Sequence, residues 1–98
     1  MNQFIYLNRE KISVKSISQL HIHKISEEDK VKLNVNFMDR KQKDKTLMVF
    51  TGKDKLYMAN IAMCNIYSKI TKGDNVYLKD IKTNLTARYP KKDFICQL

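Results

Sequence analysis

The sequence predicts a single α+β domain spanning residues 1–98, and three observations carry that prediction. The stretch VKLNVNF, Val31–Phe37, alternates apolar and polar residues, the period of a strand with one face in a core and the other in water. Further on, Leu56, Ala59, Met63, Ile66 and Ile70 recur at three- and four-residue spacing, the period of a helix with one buried stripe. Only two glycines and one proline interrupt the chain, which leaves little room for irregular loops. The arrangement expected is a small antiparallel β-sheet, made of N-terminal strands plus a basic β-hairpin, packed against one long helix. A short strand/helix segment and a C-terminal strand complete it. At 98 residues there is apolar surface for one core, because two half-length cores would each bury too little to offset chain entropy.

Phe4, Ile5, Tyr6 and Leu7 form a first short apolar run. KISVKSISQLHIHKI then alternates in two pieces, Ile12 and Val14 in one and Leu20 and Ile22 in the other, and the phase slips at Ile17 and Ser18. A slip of one residue sends side chains to the opposite face, so a bulge or a break between two strands is expected there. SEEDK, residues 26–30, is a polar connector. After the Val31–Phe37 strand, TLMVFTG supplies its return, so the intervening residues form a hairpin connection of about six residues. Thr51 followed by Asp54 predicts a capping box at the start of the long helix, and Lys72-Gly73 predicts its end. Met58, Ile61 and Ala62 widen its apolar stripe enough to meet a second surface besides the sheet. Between Val76 and Ile81 strand and helix patterns overlap; the reading favoured is a short strand or turn running into a helix over Lys79–Arg88, ended by Pro90. DFICQL reads as the last strand.

Hydrophobic residues at 43% and charged residues at 30% set the chain apart from disordered compositions. Nineteen Lys and Arg against ten Asp and Glu leave a formal charge of +9, which makes polyanions the first partners to consider. The surplus runs along the whole chain instead of gathering in a tail, so a binding surface would belong to the folded domain. Cys64 and Cys96 are too few for a disulfide framework, and MNQFIYLNREK turns polar too soon for a leader, so a reducing cytoplasmic location is expected. No apolar run approaches the roughly 20 residues that cross a bilayer. Membrane insertion is therefore not expected, although adhesion to anionic lipid stays open.

Two basic clusters mark candidate contact residues. The hairpin connection carries Arg40, Lys41, Lys43 and Lys45 on a narrow projection, the geometry with which a β-ribbon or wing reaches phosphates or enters a groove. Asp39 and Asp44 dilute that run, and a solvated turn would look the same. In the second cluster, Leu78, Ile81 and Leu85 facing the core would place Lys79, Lys82, Thr83 and Thr86 together on the outer side, with Arg88, Lys91 and Lys92 directly after. Here a solvated helix face is the plain alternative, since Asp80 sits among the lysines. A strand leading into a helix beside a basic hairpin resembles the winged helix, an alternative arrangement. No helix-turn-helix is visible, however, and the strand-rich first half lies outside that pattern.

His21 and His23 share a strand face, and Cys64 and Cys96 are ligand types zinc accepts, but neither cysteine has a partner at the close spacing of structural zinc sites. No metal and no cofactor are expected. The ten acids are spread through turns and helix starts, and neither a phosphate-cradling glycine loop nor a nucleophile elbow occurs, so no enzyme is expected. A small basic ribonuclease with His21 or His23 as general base is the catalytic alternative. The function expected is non-enzymatic binding of nucleic acid, double-stranded DNA first, through the hairpin tip and the basic C-terminal segment. The alternative is a protein-interaction module (adaptor, inhibitor or assembly subunit) that meets an acidic partner through the apolar helix or the C-terminal edge strand. Met38, Met48, Met58 and Met63 with Tyr57 and Tyr67 also fit half of a homodimer interface.

Overall fold

The computed structural model describes residues 2–98. Its strands are β1 (Phe4–Tyr6), β2 (Lys11–Ser13), β3 (Ile17–Ile25), β4 (Lys30–Phe37), β5 (Lys45–Thr51), β6 (Val76–Tyr77) and β7 (Ile95–Gln97). Helix α1 covers Lys55–Thr71 and α2 covers Leu78–Arg88. The architecture is α+β, with a four-stranded antiparallel sheet in the order β3-β4-β5-β7 packed on a helix. The first two strands do not join it. They form a second sheet in the order β2-β1-β6, where β1 and β6 run parallel and the long excursion between them contains β2, three of the four strands of the larger sheet and α1.

Alternation in β4 behaves as its pattern requires: Val31, Leu33 and Val35 are buried against α1 and pair with Lys24, Ile22 and Leu20 of β3. The phase slip expected near Ser18 is a register shift between Ile17 and Gln19, which lets Leu20 and Ile22 face inward with Leu33 and Val35. A second shift, between Leu33 and Asn34, passes over Leu47 of β5. Leu47 is nonetheless buried, and it lines a depression with Leu7, Leu78 and Leu98, so the bulge serves to tie the two sheets together.

Where a capping box was expected, a different arrangement starts α1. Thr51 is the last residue of β5, and the Asp54 carboxylate makes no cap bond. Asp54 Oδ2 instead accepts the Asp93 N–H at 2.8 Å, the Asp54 N–H donates to the Asp93 carbonyl at 2.9 Å, and the Lys53 N–H donates to Asp93 Oδ2 at 3.3 Å. A tertiary clasp to the segment before β7 has taken the carboxylate the box would use. Gly52, at φ +104°, makes the turn into this clasp.

Met58, Ala59, Ala62 and Ile66 are the fully buried residues of α1, whereas Leu56 is exposed. Ile61, Met63 and Ile70 pack on the flanks of the same core. The width of the stripe is used inside the molecule, because α1 lies against β3, β4 and β5 on one side and against β6 and α2 on another. Its end is a Schellman motif: the Asp74 N–H reaches the Lys69 carbonyl at 3.0 Å, the Gly73 N–H reaches the Ile70 carbonyl at 3.0 Å, and Gly73 sits at φ +83°. Helix α2 then buries Leu78, Ile81 and Leu85 as its spacing predicts. The winged-helix alternative falls away. Among the described residues there are two helices, and the basic hairpin belongs to the four-stranded sheet rather than trailing a recognition helix. No helix among the described residues is long and apolar enough to cross a membrane.

Candidate nucleic-acid interface

The hairpin tip, residues 38–44, is a turn whose two acids are exposed and engaged in local hydrogen bonds. The Met38 N–H donates to the Ser16 carbonyl at 2.8 Å and fixes the base of the projection. Asp39 accepts the Lys41 N–H on its carboxylate and the Gln42 N–H on its carbonyl, both at 3.0 Å, the local bonding with which Asp initiates a turn. Asp44 Oδ1 accepts from Asn36 Nδ2 at 2.6 Å, and its other oxygen lies 3.4 Å from His21 Nε2. The two carboxylates that dilute the run in sequence thus act on the backbone and on the open face of the sheet. Arg40, Lys41 and Lys43 are exposed, with no carboxylate at ion-pair distance among the described residues. Lys45 differs. Half-buried at the start of β5, it pairs with Glu10 from the β1–β2 turn.

On α2 the burial of Leu78, Ile81 and Leu85 leaves Lys79, Lys82, Thr83 and Thr86 exposed together. Lys79, Lys82 and Thr83 line a wide depression of about 660 Å³ with Asn8, Gln97 and Leu98. Thr86 Oγ1 donates back to the Lys82 carbonyl at 3.1 Å, so its hydroxyl proton is already engaged. Arg88 and Lys91 are exposed, and Lys92 Nζ stands 4.6 Å above the Tyr57 ring, a cation–π contact made by its ammonium.

The register of the large sheet separates the two clusters. Strand β5 leaves the tip at Lys45 and ends at Thr51, whose partner on β7 is Ile95. Asp93 is clasped to Asp54 just beyond that end, so Lys91 and Lys92 lie at the end of the sheet away from the tip. Lys79 and Lys82 fall between, beside Gln97 and Leu98. The basic residues named from sequence therefore form a tip, a helix face and a far corner in place of one patch.

His21 and His23 lie on the face of β3 opposite the buried Leu20 and the half-buried Ile22; Cys64 is exposed on α1 and Cys96 is buried in β7. Among the described residues no three His, Cys, Asp or Glu side chains gather as a metal site. Burial pushes the Cys96 thiol up to about 11, with nearby Lys82 pulling the other way. A thiol-reactive probe at pH 8 is therefore expected to label Cys64 in the folded protein and Cys96 only on unfolding. Equal labelling rates at both, read by peptide mass, would contradict the burial of Cys96 within β7.

One further group is not singled out by the sequence pattern. Tyr6 of β1 pairs with Lys11 on one side and Tyr77 on the other, and the two tyrosine rings stack at 4.8 Å with 6° between planes. Phe4 lies 6.1 Å from Tyr6, and Lys11 Nζ stands 4.4 Å above the Phe4 ring. The available signal is the Phe4-x-Tyr6 spacing, which puts both rings on one face of any strand. That Tyr77 completes the row cannot be read from it, because the partner is 71 residues away (77 − 6). No protein family model, curated protein or solved structure matches this chain.

Proposed function

We propose that the chain is a non-enzymatic nucleic-acid-binding domain that grips the sugar–phosphate backbone, of double-stranded DNA in the first instance. The hairpin tip (Arg40, Lys41, Lys43) and the exposed basic side of the C-terminal segment (Lys79, Lys82, Arg88, Lys91, Lys92) are the contacts. One observation supports the reading above the rest: of the basic residues marked in the sequence, Lys45 alone has a carboxylate within ion-pair distance among the described residues. Cations left without a carboxylate partner keep their net charge and can displace counterions from a polyanion. Lys45, neutralised by Glu10, is reassigned to holding the hairpin against the β1–β2 turn.

Gel-shift titration with random-sequence duplex, single-stranded DNA and RNA at two salt concentrations tests the proposal. Retardation that weakens steeply with salt is expected; no retardation of any of the three at low salt overturns it. A second reading has its own observation. Strand β7 is an edge of the large sheet with Ile95 62% exposed, an opening for an extended segment of an acidic protein to add as a further strand. That reading gains if nucleic acids fail to bind.

A further inference from the structure

Two adjoining depressions lie where the two sheets and α2 meet, and the exposed cations of the hairpin tip line neither. The first, of about 330 Å³, is walled by Leu7, Leu47, Leu78 and Leu98, with Arg9 at its rim. Leu47 and Leu78 are buried core residues, so this apolar floor is fixed. Glu10 also borders it, but its carboxylate is held by Lys45. The second depression, of about 660 Å³, takes Lys79, Lys82 and Thr83 from one side of α2 and Gln97 from β7. No acidic side chain lines it, Asp80 being on another side of the helix. Asn8 and Leu98 line both depressions and so stand at their common border. Both volumes are of the size that small-molecule sites occupy.

The polar groups gathered here are uncommitted. Among the described residues, the side chains of Asn8, Lys79, Lys82, Thr83 and Gln97 make no hydrogen bond and no ion pair. Two ammoniums beside a hydroxyl, with no acid among them, favour an oxyanion. The leucine floor next to them favours an apolar body. The amides select which one. Asn8 and Gln97 each carry donors and an acceptor, which a fatty chain would leave unpaired at a cost, whereas a nucleobase sets polar groups around the edge of an apolar ring. Apolar side chains are a sufficient bed for such a ring. A base inside a duplex has its faces and pairing edge already taken; an unpaired base has them free. We propose that the two depressions seat one unpaired nucleotide, its phosphate against Lys79 and Lys82 and its base over Leu7, Leu47 and Leu78, met at the edge by Asn8 and Gln97. This rests on the nucleic-acid reading above and extends it from backbone grip to the holding of a single base.

The probe is a fluorescently labelled random duplex in three forms: blunt, with a short thymidine overhang, and with an abasic overhang of equal length and charge, each overhang placed on the 5′ and the 3′ end in turn. The wild-type chain is expected to bind the thymidine overhang about tenfold more tightly than the abasic one. Asn8→Ala combined with Leu98→Ala removes the two border side chains, both at exposed positions, and should abolish that preference while blunt-duplex affinity stays unchanged. Thymidine 5′-monophosphate added to the isotope-labelled chain gives a second readout, since it should move the amide resonances of Asn8, Lys79 and Gln97 more than those of the tip. Thr83→Glu, which sets a carboxylate beside the lysines, should suppress that response. Overhang preference that the monophosphate displaces at comparable concentration supports the seat with a free nucleotide as occupant; preference that it cannot displace supports the seat with a strand end. Equal affinity for the two overhangs, together with resonances moved no more at the seat than at the tip, overturns the proposal, as does a preference that survives the border variant. Blunt-duplex binding with neither response removes the seat and leaves the proposed function standing; absence of all binding removes both.

Discussion

Raising salt from about 50 to about 200 mM is expected to weaken binding of random duplex by about a thousandfold, the loss that follows when some six phosphates are neutralised. Eight of the candidate cations are available for this, because the ion pairs among the described residues use only Lys45 from the set. Distribution of the charge makes the expectation divisible. Arg40→Ser, Lys41→Ser and Lys43→Ser combined should flatten the log–log slope by about 0.9 for each phosphate no longer neutralised, about 2.7 if all three side chains engage. A slope unchanged by this variant would take the hairpin out of the interface. Lys45→Ser is the internal control. Its ammonium is held by Glu10, so the slope should change little, and a full-sized change would mean that the pair opens on binding. Since Lys91 and Lys92 lie at the far end of the sheet, their removal should act additively with the tip.

Gly52→Ala is expected to cost about 3 kcal/mol, a large share of the stability of a small domain. Two effects add. At φ +104° an L side chain is strained, a cost of about 1–3 kcal/mol. A Cβ at this position would also stand 2.6 Å from the Asp93 carbonyl oxygen and 2.8 Å from Phe94 Cα, backbone atoms that cannot swing aside. Forcing them apart adds about 1–3 kcal/mol of overpacking and breaks the Asp54–Asp93 clasp that positions β7. Gly73→Ala isolates the first effect: its φ is +83°, yet nothing lies within 4 Å of the added Cβ, so a loss of about 1 kcal/mol is expected. Urea denaturation of the two variants compares them directly. Equal losses would show that the close approach to Asp93 and Phe94 is not what constrains Gly52.

The parts of this molecule legible in its sequence are those decided by neighbours along the chain. The alternation of β4, the phase slip at Ser18, the end of α1 at Gly73 and the Leu78, Ile81 and Leu85 stripe of α2 each follow from a period or a glycine within a few residues. Net charge is likewise a property of composition, and with it the class of partner proposed. Only tertiary structure decided the rest. The Asp54 carboxylate had a local cap and a distant N–H to choose between, and the fold brought Asp93 to it. Lys45 reads as one more basic tip residue until the β1–β2 turn of the other sheet brings Glu10 to it. The tip and the far corner carry the same kind of charge, and the antiparallel register of β5 and β7 sets them apart. Phe4 and Tyr6 share a face by the strand period alone, but the parallel pairing of β1 with β6 is what lays Tyr77 beside them. The physical reason is the same in each case: periodicity and turn preference act over a few bonds, whereas which distant groups meet depends on how the whole chain buries its apolar surface.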